Sequence, residues 1–454
     1  MSIYWEESYG IMVSIPFHSE NAQAALAQLP RAAAVFALYG AEARAEPYIG
    51  RTPNLQARLA RLLQPSEKHP RRLQLAGRVR RIAWRRTGSE FESLLTQFSL
   101  LQEIYAAKAL ERMHLRAPAF VRFLGGNPYP RIVVTHRPSQ REANWAYGPF
   151  PSRAAAERFA EEMLKLFQLR RCTDDLHPDP GFPGCVYSEM KMCLAPCFKG
   201  CSDERYAEES AAVERFLATR GASRLIALEA QRDRASANLE FESAAALHAQ
   251  AQKAEAVRAL APELVRPLSQ LRAVVLQASA HPAEVAVFLF QNGRLLGPAS
   301  FSTLGMRIQN EQSGSSSLFA QPMAVEPVPE APEPSPAAAQ KEPGMGTAPG
   351  STGAESAQTK SGASVPKGNT PRIARGMLEA RLDETLAQLA ADAAPPSATE
   401  RQGHLALLKR WYYRPEAKRS GEIFFPAEDG AWPVKAMLRG VGRVAAKSLP
   451  PITV

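Results

Sequence analysis

Apolar residues recur along this chain in short bursts whose spacing alternates between a strand period and a helix period. Ala34 to Leu38 and Pro47 to Gly50 read as two short strands around a turn at Gly40. Asn54 to Leu63 then carries Leu55, Leu59, Leu62 and Leu63 at helical spacing, with Asn54 as N-cap. Val79 to Trp84 reads as a third strand. Ser89 opens a helix in which Glu92, three residues on, completes a capping-box signature, and Leu94, Leu95, Phe98, Leu101 and Ile104 line its buried side as far as about Leu115. These elements predict a small mixed α/β domain over 29–125.

A connector over 126–205 follows, with a strand at Tyr129 to Val134 and a helix from Ser152 to Leu169 that leads into a cysteine-bearing loop. Residues 206–262 are rich in Ala, Glu, Gln and Arg, strong helix formers, and the break at 238–242 predicts a helical hairpin. Its apolar stripe (Leu225, Leu228, Leu239, Leu247, Val257, Leu260) is thin, so the hairpin is expected to pack against another surface, in this chain or in a partner. Strand patterns at Arg272 to Leu276 and Glu284 to Phe290, with an Asn292-Gly293 turn, open a small β-rich C-terminal region over 270–308 and 371–454. Between its halves, 310–370 collapses into Ser, Gly, Pro, Ala, Glu and Gln and is predicted to be a disordered insertion. Order is expected to return with a helix at Met377 to Ala390, an element over 405–413, and short strands at 422–425 and 434–438.

The 454 residues carry a net charge of +10, which favours a polyanionic partner. Lys68, Arg71, Arg72, Arg78, Arg80, Arg81, Arg85 and Arg86 crowd one segment with Trp84, as a surface tracking DNA phosphates beside an aromatic platform would; a solvated basic strand and loop gives the same pattern. The first residues show no basic leader, and no apolar run is long enough to cross a bilayer, so a cytoplasmic protein without a membrane partner is expected. Gly440-Val441-Gly442-Arg443-Val444-Ala445 imitates a dinucleotide fingerprint, but no βαβ unit fits before Pro450. There is no P-loop motif, which excludes that route to ATP hydrolysis.

All five cysteines fall between Cys172 and Cys201, in the order Cys172, Cys185, Cys193, Cys197, Cys201. Disulfides are disfavoured in the cytosol, so the cluster points to a metal centre with four thiolate ligands and one spare; buried, unpaired thiols are the plainer alternative. Zinc and an iron–sulfur cluster both accept four thiolates, and spacing does not separate them.

Several motifs in order resemble one family. Leu29-Pro30, Ala34-Val35-Phe36, Tyr48-Ile49-Gly50-Arg51 and Asn54 to Leu59 are similar to the GIY-YIG nuclease domain of UvrC, a component of the bacterial excinuclease. Ser89 to Leu95 resembles the start of its catalytic helix, Gly148-Pro149-Phe150 through Cys197 its cysteine region, and Ala235 to Ala245 its UVR motif. The resemblance implies a DNA-binding protein of nucleotide excision repair that docks on UvrB through the hairpin, around Leu239, Phe241 and Glu242. It also implies that Cys172, Cys185, Cys193 and Cys197 hold a [4Fe-4S] cluster, with zinc as the alternative; Cys201 has no counterpart.

For catalysis the resemblance implies a divalent cation, Mg²⁺ or Mn²⁺, on a helix glutamate, with Tyr48, Arg58 and Arg51 around the scissile phosphate. Here Phe36 stands where a tyrosine is usual, and Gln97 where the metal-binding glutamate belongs. A neutral amide is a poor ligand for a hard cation. Glu103 lies about 240° around the helix from position 97, and Glu90 roughly 10 Å back along the same face; a register shift of six residues would recruit Glu103. Val121 lies near the place of the family's asparagine, and the chain ends at Val454, before the family's RNase H-like and helix-hairpin-helix domains would appear, so no 5′ incision centre is expected. The expectation is therefore a UvrC-like protein with a weakened or inactive nuclease site. Two alternatives are a metal-dependent endonuclease making one 3′-side cut and a structural interaction protein with no role on DNA.

Overall fold

The computed structural model describes residues 12–42, 45–63, 75–304, 306, 371–391 and 395–448; the predicted insertion over 310–370 lies outside them. The chain is mixed α/β, and among the described residues its strands form three four-stranded sheets in which every pairing is antiparallel. The first sheet runs through β1 (Val13–Pro16), α1 (Ala22–Ala27), β2 (Ala34–Gly40), β3 (Tyr48–Thr52), α2 (Leu55–Leu63), β4 (Val79–Arg86), α3 (Glu90–Tyr105) and the short α4 (Ala109–Arg112). Its strand order is β1-β4-β2-β3. Phe36, Leu38, Ile82 and Trp84 share one face with Leu26 of α1 and Leu55, Leu59 and Leu63 of α2. Val35 and Ala37, on the alternate positions, meet Leu100 of α3.

Local signals work where a single residue supplies a missing hydrogen bond. Asn54 Oδ1 accepts the Ala57 N–H at 3.0 Å and starts α2. Ser89 Oγ accepts the Glu92 N–H at 3.1 Å to start α3, while the Glu92 carboxylate accepts from Gly88 N–H at 2.8 Å, one residue earlier than the capping box predicts. The helix ends at Tyr105 rather than near Leu115, because Ala106 turns to φ 46° and breaks the ladder.

The middle of the chain contains β5 (Ala119–Phe123), β6 (Ile132–Thr135), β7 (Ala146–Phe150), α5 (Arg153–Leu164), α6 (Val186–Glu189), α7 (Asp203–Ala218), α8 (Ala222–Ala237), α9 (Phe241–Ala259) and β8 (Arg266–Pro267). The strands order β6-β5-β7-β8. Val121, Tyr147 and Phe150 of this sheet share a core with Phe159 and Met163 of α5 and Tyr206, Val213 and Phe216 of α7. β5 hydrogen-bonds to β6 and β7, so Ala119–Phe123 lie in this second sheet. Helix α5 stops at Leu164, short of the predicted Leu169.

The third sheet combines β9 (Ala273–Ala278), β10 (Glu284–Gln291), β11 (Arg294–Ser302), α10 (Pro371–Ala391), α11 (Ala398–Tyr412), β12 (Glu422–Phe424) and α12 (Val434–Ser448), with strand order β11-β10-β9-β12. Asn292 at φ 53° and Gly293 at φ 81° form the predicted hairpin turn, whose two central residues both need positive φ. Three helices make this region less β-rich than expected. The strand expected at 434–438 is instead the first turns of α12: Met437, Leu438, Val441, Val444 and Ala445 recur at helical spacing and cover Val274, Leu276 and Val287. The fingerprint-like glycines lie inside that helix, where Gly440 lets it close on Phe424; a Cβ there would sit 2.5 Å from the ring.

Helix α3 joins the first and third sheets. Phe91, Leu94, Leu95 and Phe98 share one core with Phe288 and Phe290 of β10 and with Leu405, Leu408 and Trp411 of α11. The helices touch at Gly403, where a Cβ would lie 1.9 Å from Phe98 Cζ.

Candidate nucleic-acid interface and cysteine cluster

Strands β2 and β3 bring two of the sequence-predicted residues face to face. Phe36 pairs with Gly50 and Leu38 with Tyr48. The Phe36 ring, 1% exposed, lies over Gly50, where a Cβ would come within 2.7 Å of it. That close approach is why the position holds glycine. The Tyr48 ring is 6.1 Å from the Phe36 ring and 44% exposed. Arg58 is half-buried on α2, the helix covering this face.

Strand alternation turns Arg51 to the other face, together with Ile49, toward α3. Arg51 Nη1 donates to Glu90 Oε1 at 3.5 Å. Gln97 is half-buried, seven residues from Glu90 on one helical stripe; Leu100 and Ile104, on the same stripe, belong to the cluster that includes Ile49 of β3. Of the two nearby carboxylates, Glu90 is already engaged by arginines. Glu90 accepts two hydrogen bonds from Arg414, both 2.8 Å, and its carboxyl is held low by those bonds first and then by the charges of Arg414, Arg51 and Arg410. Glu103 is exposed near Tyr39, and partial desolvation raises its carboxyl. Val121 is fully buried in β5 and offers no polar group.

Among the described residues, the basic segment does not present one continuous surface. Arg71 and Arg72, with Lys68, lie outside the described residues. On β4, alternation divides the rest: Arg80 and Arg86 point to one side, Arg81 and Arg85 to the other. Arg80 donates to the carbonyls of Gly77 at 2.8 Å and Val79 at 2.9 Å, and Arg86 to Ala280 O at 3.1 Å. Arg81 stacks 4.1 Å over Tyr39, and Arg85 lies near Glu92. Arg78 is exposed just before the strand. Trp84 is only 6% exposed and belongs to the core, so the aromatic platform expected of it is absent.

The five cysteines are free, half-buried thiols on loops tightened by left-handed residues at Lys191, Ala195 and Lys199. Burial, then the neighbouring Cys172, Cys197 and Cys185, push the Cys193 thiol up to about 11. Burial also raises Cys197, with Cys185 and Cys172 adding to it. The Cys201 thiol is raised by burial as well, with Asp203 adding to it and Arg205 opposing it. Ala195 N–H donates to Cys193 Sγ at 3.3 Å, and Arg170 Nη1 to Cys172 Sγ at 3.5 Å, the kind of donors that favour thiolates. Among the described residues, no group of three or more His, Cys, Asp or Glu side chains stands close enough to hold a metal ion as placed.

The predicted hairpin is α8 and α9. Leu225 and Leu228 pack on Ala251 and Ala254 along its seam, and Leu239, with φ 62°, turns the chain at its tip. Leu239 and Phe241 there are 71% and 66% exposed, and Glu242 is exposed beside them. Sequence reasoning missed Arg410 and Arg414, since nothing local ties them to Glu90, 324 residues from Arg414 in the chain. Among the described residues, no helix is long and apolar enough to cross a membrane.

A family model, UvrC/Cho excinuclease, middle domain, matches residues 120–216, the span from β5 through α7. The UvrABC system protein C of Alcanivorax borkumensis is 30% identical over 256 residues, 56% of this chain and 41% of that protein. Its counterpart in Pseudomonas entomophila is 29% identical over 238 residues, covering 52% and 38%, and that of Aliivibrio salmonicida 26% identical over 268, covering 59% and 43%. No solved structure matches the chain. The similarity thus spans about two fifths of the relatives' length. Residues 120–216 of this chain therefore carry the UvrC/Cho middle domain, and about half its length is similar to UvrC proteins.

Proposed function

We propose that this protein acts in nucleotide excision repair: it binds DNA through a GIY-YIG-type domain whose cutting site is weakened or lost, and docks on a UvrB-like protein through Leu239, Phe241 and Glu242. The observation that carries the loss of cutting is the pair Phe36 and Gln97. Phe36 is sealed against Gly50 with no hydroxyl to offer, and Gln97 brings no negative charge to a cation. Glu90, the acid on the same stripe, is already neutralised by arginines. Tyr48 and Arg58 remain able to contact a phosphate, one exposed and the other half-buried on the same side of the sheet. A nicking assay on lesion-bearing duplex with Mg²⁺ or Mn²⁺ tests this. Wild type and Arg58→Ala are expected to be equally inert, and incision that disappears in the variant would restore the endonuclease reading.

Cys172, Cys185, Cys193 and Cys197 are the residues that would hold a [4Fe-4S] cluster, with zinc as the alternative. Support comes from the all-sulfur donor set, confined to one stretch of the chain, and from the N–H donors at Cys193 and Cys172. A bound cluster would supply a covalent brace between the loop after α5 and the start of α7. Cys201 is not assigned to it. Protein purified without oxygen is expected to be brown, with visible sulfur-to-iron absorbance that Cys193→Ser abolishes. Colourless protein carrying stoichiometric zinc would replace iron by the alternative.

A further inference from the structure

We propose that Arg51, Arg410 and Arg414 form a seat for a DNA backbone phosphate, assembled from the edge of the first sheet and the end of α11, with Glu90 occupying it when DNA is absent. This rests on the DNA-binding reading above and adds the C-terminal segment to it.

Both halves of the seat are carried by rigid elements. Glu90 opens α3, a helix buried on most of its circumference. Arg414 follows α11, anchored by Leu408 at 0% and Trp411 at 2% exposure. The guanidinium of Arg414 is therefore delivered to the first sheet by packing, and it meets Glu90 through two parallel 2.8 Å hydrogen bonds. Arg51 reaches the same carboxylate only at 3.5 Å, and Arg410, exposed, acts on it through charge.

The charges do not balance. Two guanidinium groups, Arg414 and Arg51, hold one carboxylate, and exposed Arg410 stands about one helical turn before Arg414, so positive charge is in excess; arginine does not lose its proton in proteins. An ion pair built only to join two segments would need one arginine. The cluster is also reachable, with the side chains of Arg51, Glu90 and Arg414 34%, 42% and 24% exposed. A phosphodiester accepts the same two-donor fork that a carboxylate does. Arriving at this cluster, it would take the long bond from Arg51, add Arg410, and share Arg414 with Glu90.

Equilibrium binding of labelled duplex DNA to the full chain, over a salt series, tests the proposal. The wild type is expected to weaken linearly in log affinity against log salt, and Arg410→Ala to flatten the slope by about 0.9, the value for one lost phosphate contact. Glu90→Gln removes the competing charge and is expected to bind DNA more tightly than wild type, whereas a purely structural pair predicts no gain. Arg414→Ala is expected to flatten the slope too, and a melting curve accompanies it because it also cuts the link between the segments. Unchanged slopes in Arg410→Ala with no tightening in Glu90→Gln would overturn this seat while leaving DNA binding intact. A wild type without salt-dependent binding would overturn both.

Discussion

Replacing Phe98 by alanine is expected to cost about 3–5 kcal/mol and to loosen the first and third sheets together. The ring is fully buried, and it sits where α3 and α11 approach most closely, over Gly403 and edge-on to His404 at 5.6 Å. Its removal leaves a cavity in a core that also contains Phe91, Phe288, Phe290, Leu405 and Leu408. Those side chains are held by two sheets at once, so they have little freedom to collapse into the space. Denaturant unfolding followed by amide exchange is the check: protection in β2 and β4 and in β9 and β10 should fall in parallel. Loss confined to either sheet would show that the two do not share a cooperative core.

Acid is expected to weaken the same junction through His404. This side chain is 1% exposed; its Nδ1 accepts the Leu295 N–H at 3.1 Å and so carries no proton. Burial first, and then the charge of Arg294, push its pKa down to about 3. An unfolded histidine titrates near 6.5, at about 1.4 kcal/mol per pH unit of difference. Between those values the unfolded chain binds a proton that the folded one refuses, so stability is full above about pH 6.5 and falls as pH drops toward 3. From pH 7 to pH 5 the loss from this group alone is about 2 kcal/mol. Urea midpoints at both pH values, for wild type and His404→Gln, isolate it. Glutamine retains an acceptor for Leu295 and does not titrate, so its stability should change less with pH. Equal losses in the two proteins would exclude His404 as the source.

The local elements were legible wherever one residue or one short pattern is sufficient. Asn54 and Ser89 start their helices because a single side chain satisfies an orphan N–H. Asn292 and Gly293 turn β10 into β11 because few residues tolerate two successive positive φ values. Residues 434–438 misled because a five-residue apolar window fits either period, and only the later Val441, Val444 and Ala445 reveal the helix. Trp84 misled for a different reason. Its neighbours are arginines, but alternation along β4 sends its ring inward while they go to the rim and to the opposite face.

The candidate sites divide in the same way. The crowding of cysteines and the Phe36 and Gln97 replacements are properties of the sequence alone, visible without any coordinates. That Tyr48 and Arg51 lie on opposite faces of one strand follows from the pleat. The chain by itself determined its helices, hairpins and donor chemistry, since these depend on neighbours a few residues away. Only the tertiary structure decided that β5 leaves the first sheet, that α3 is a shared core helix, and that Arg414 meets Glu90. Such contacts join residues far apart in sequence, and their partners are selected by how apolar faces fit together, which no local window contains.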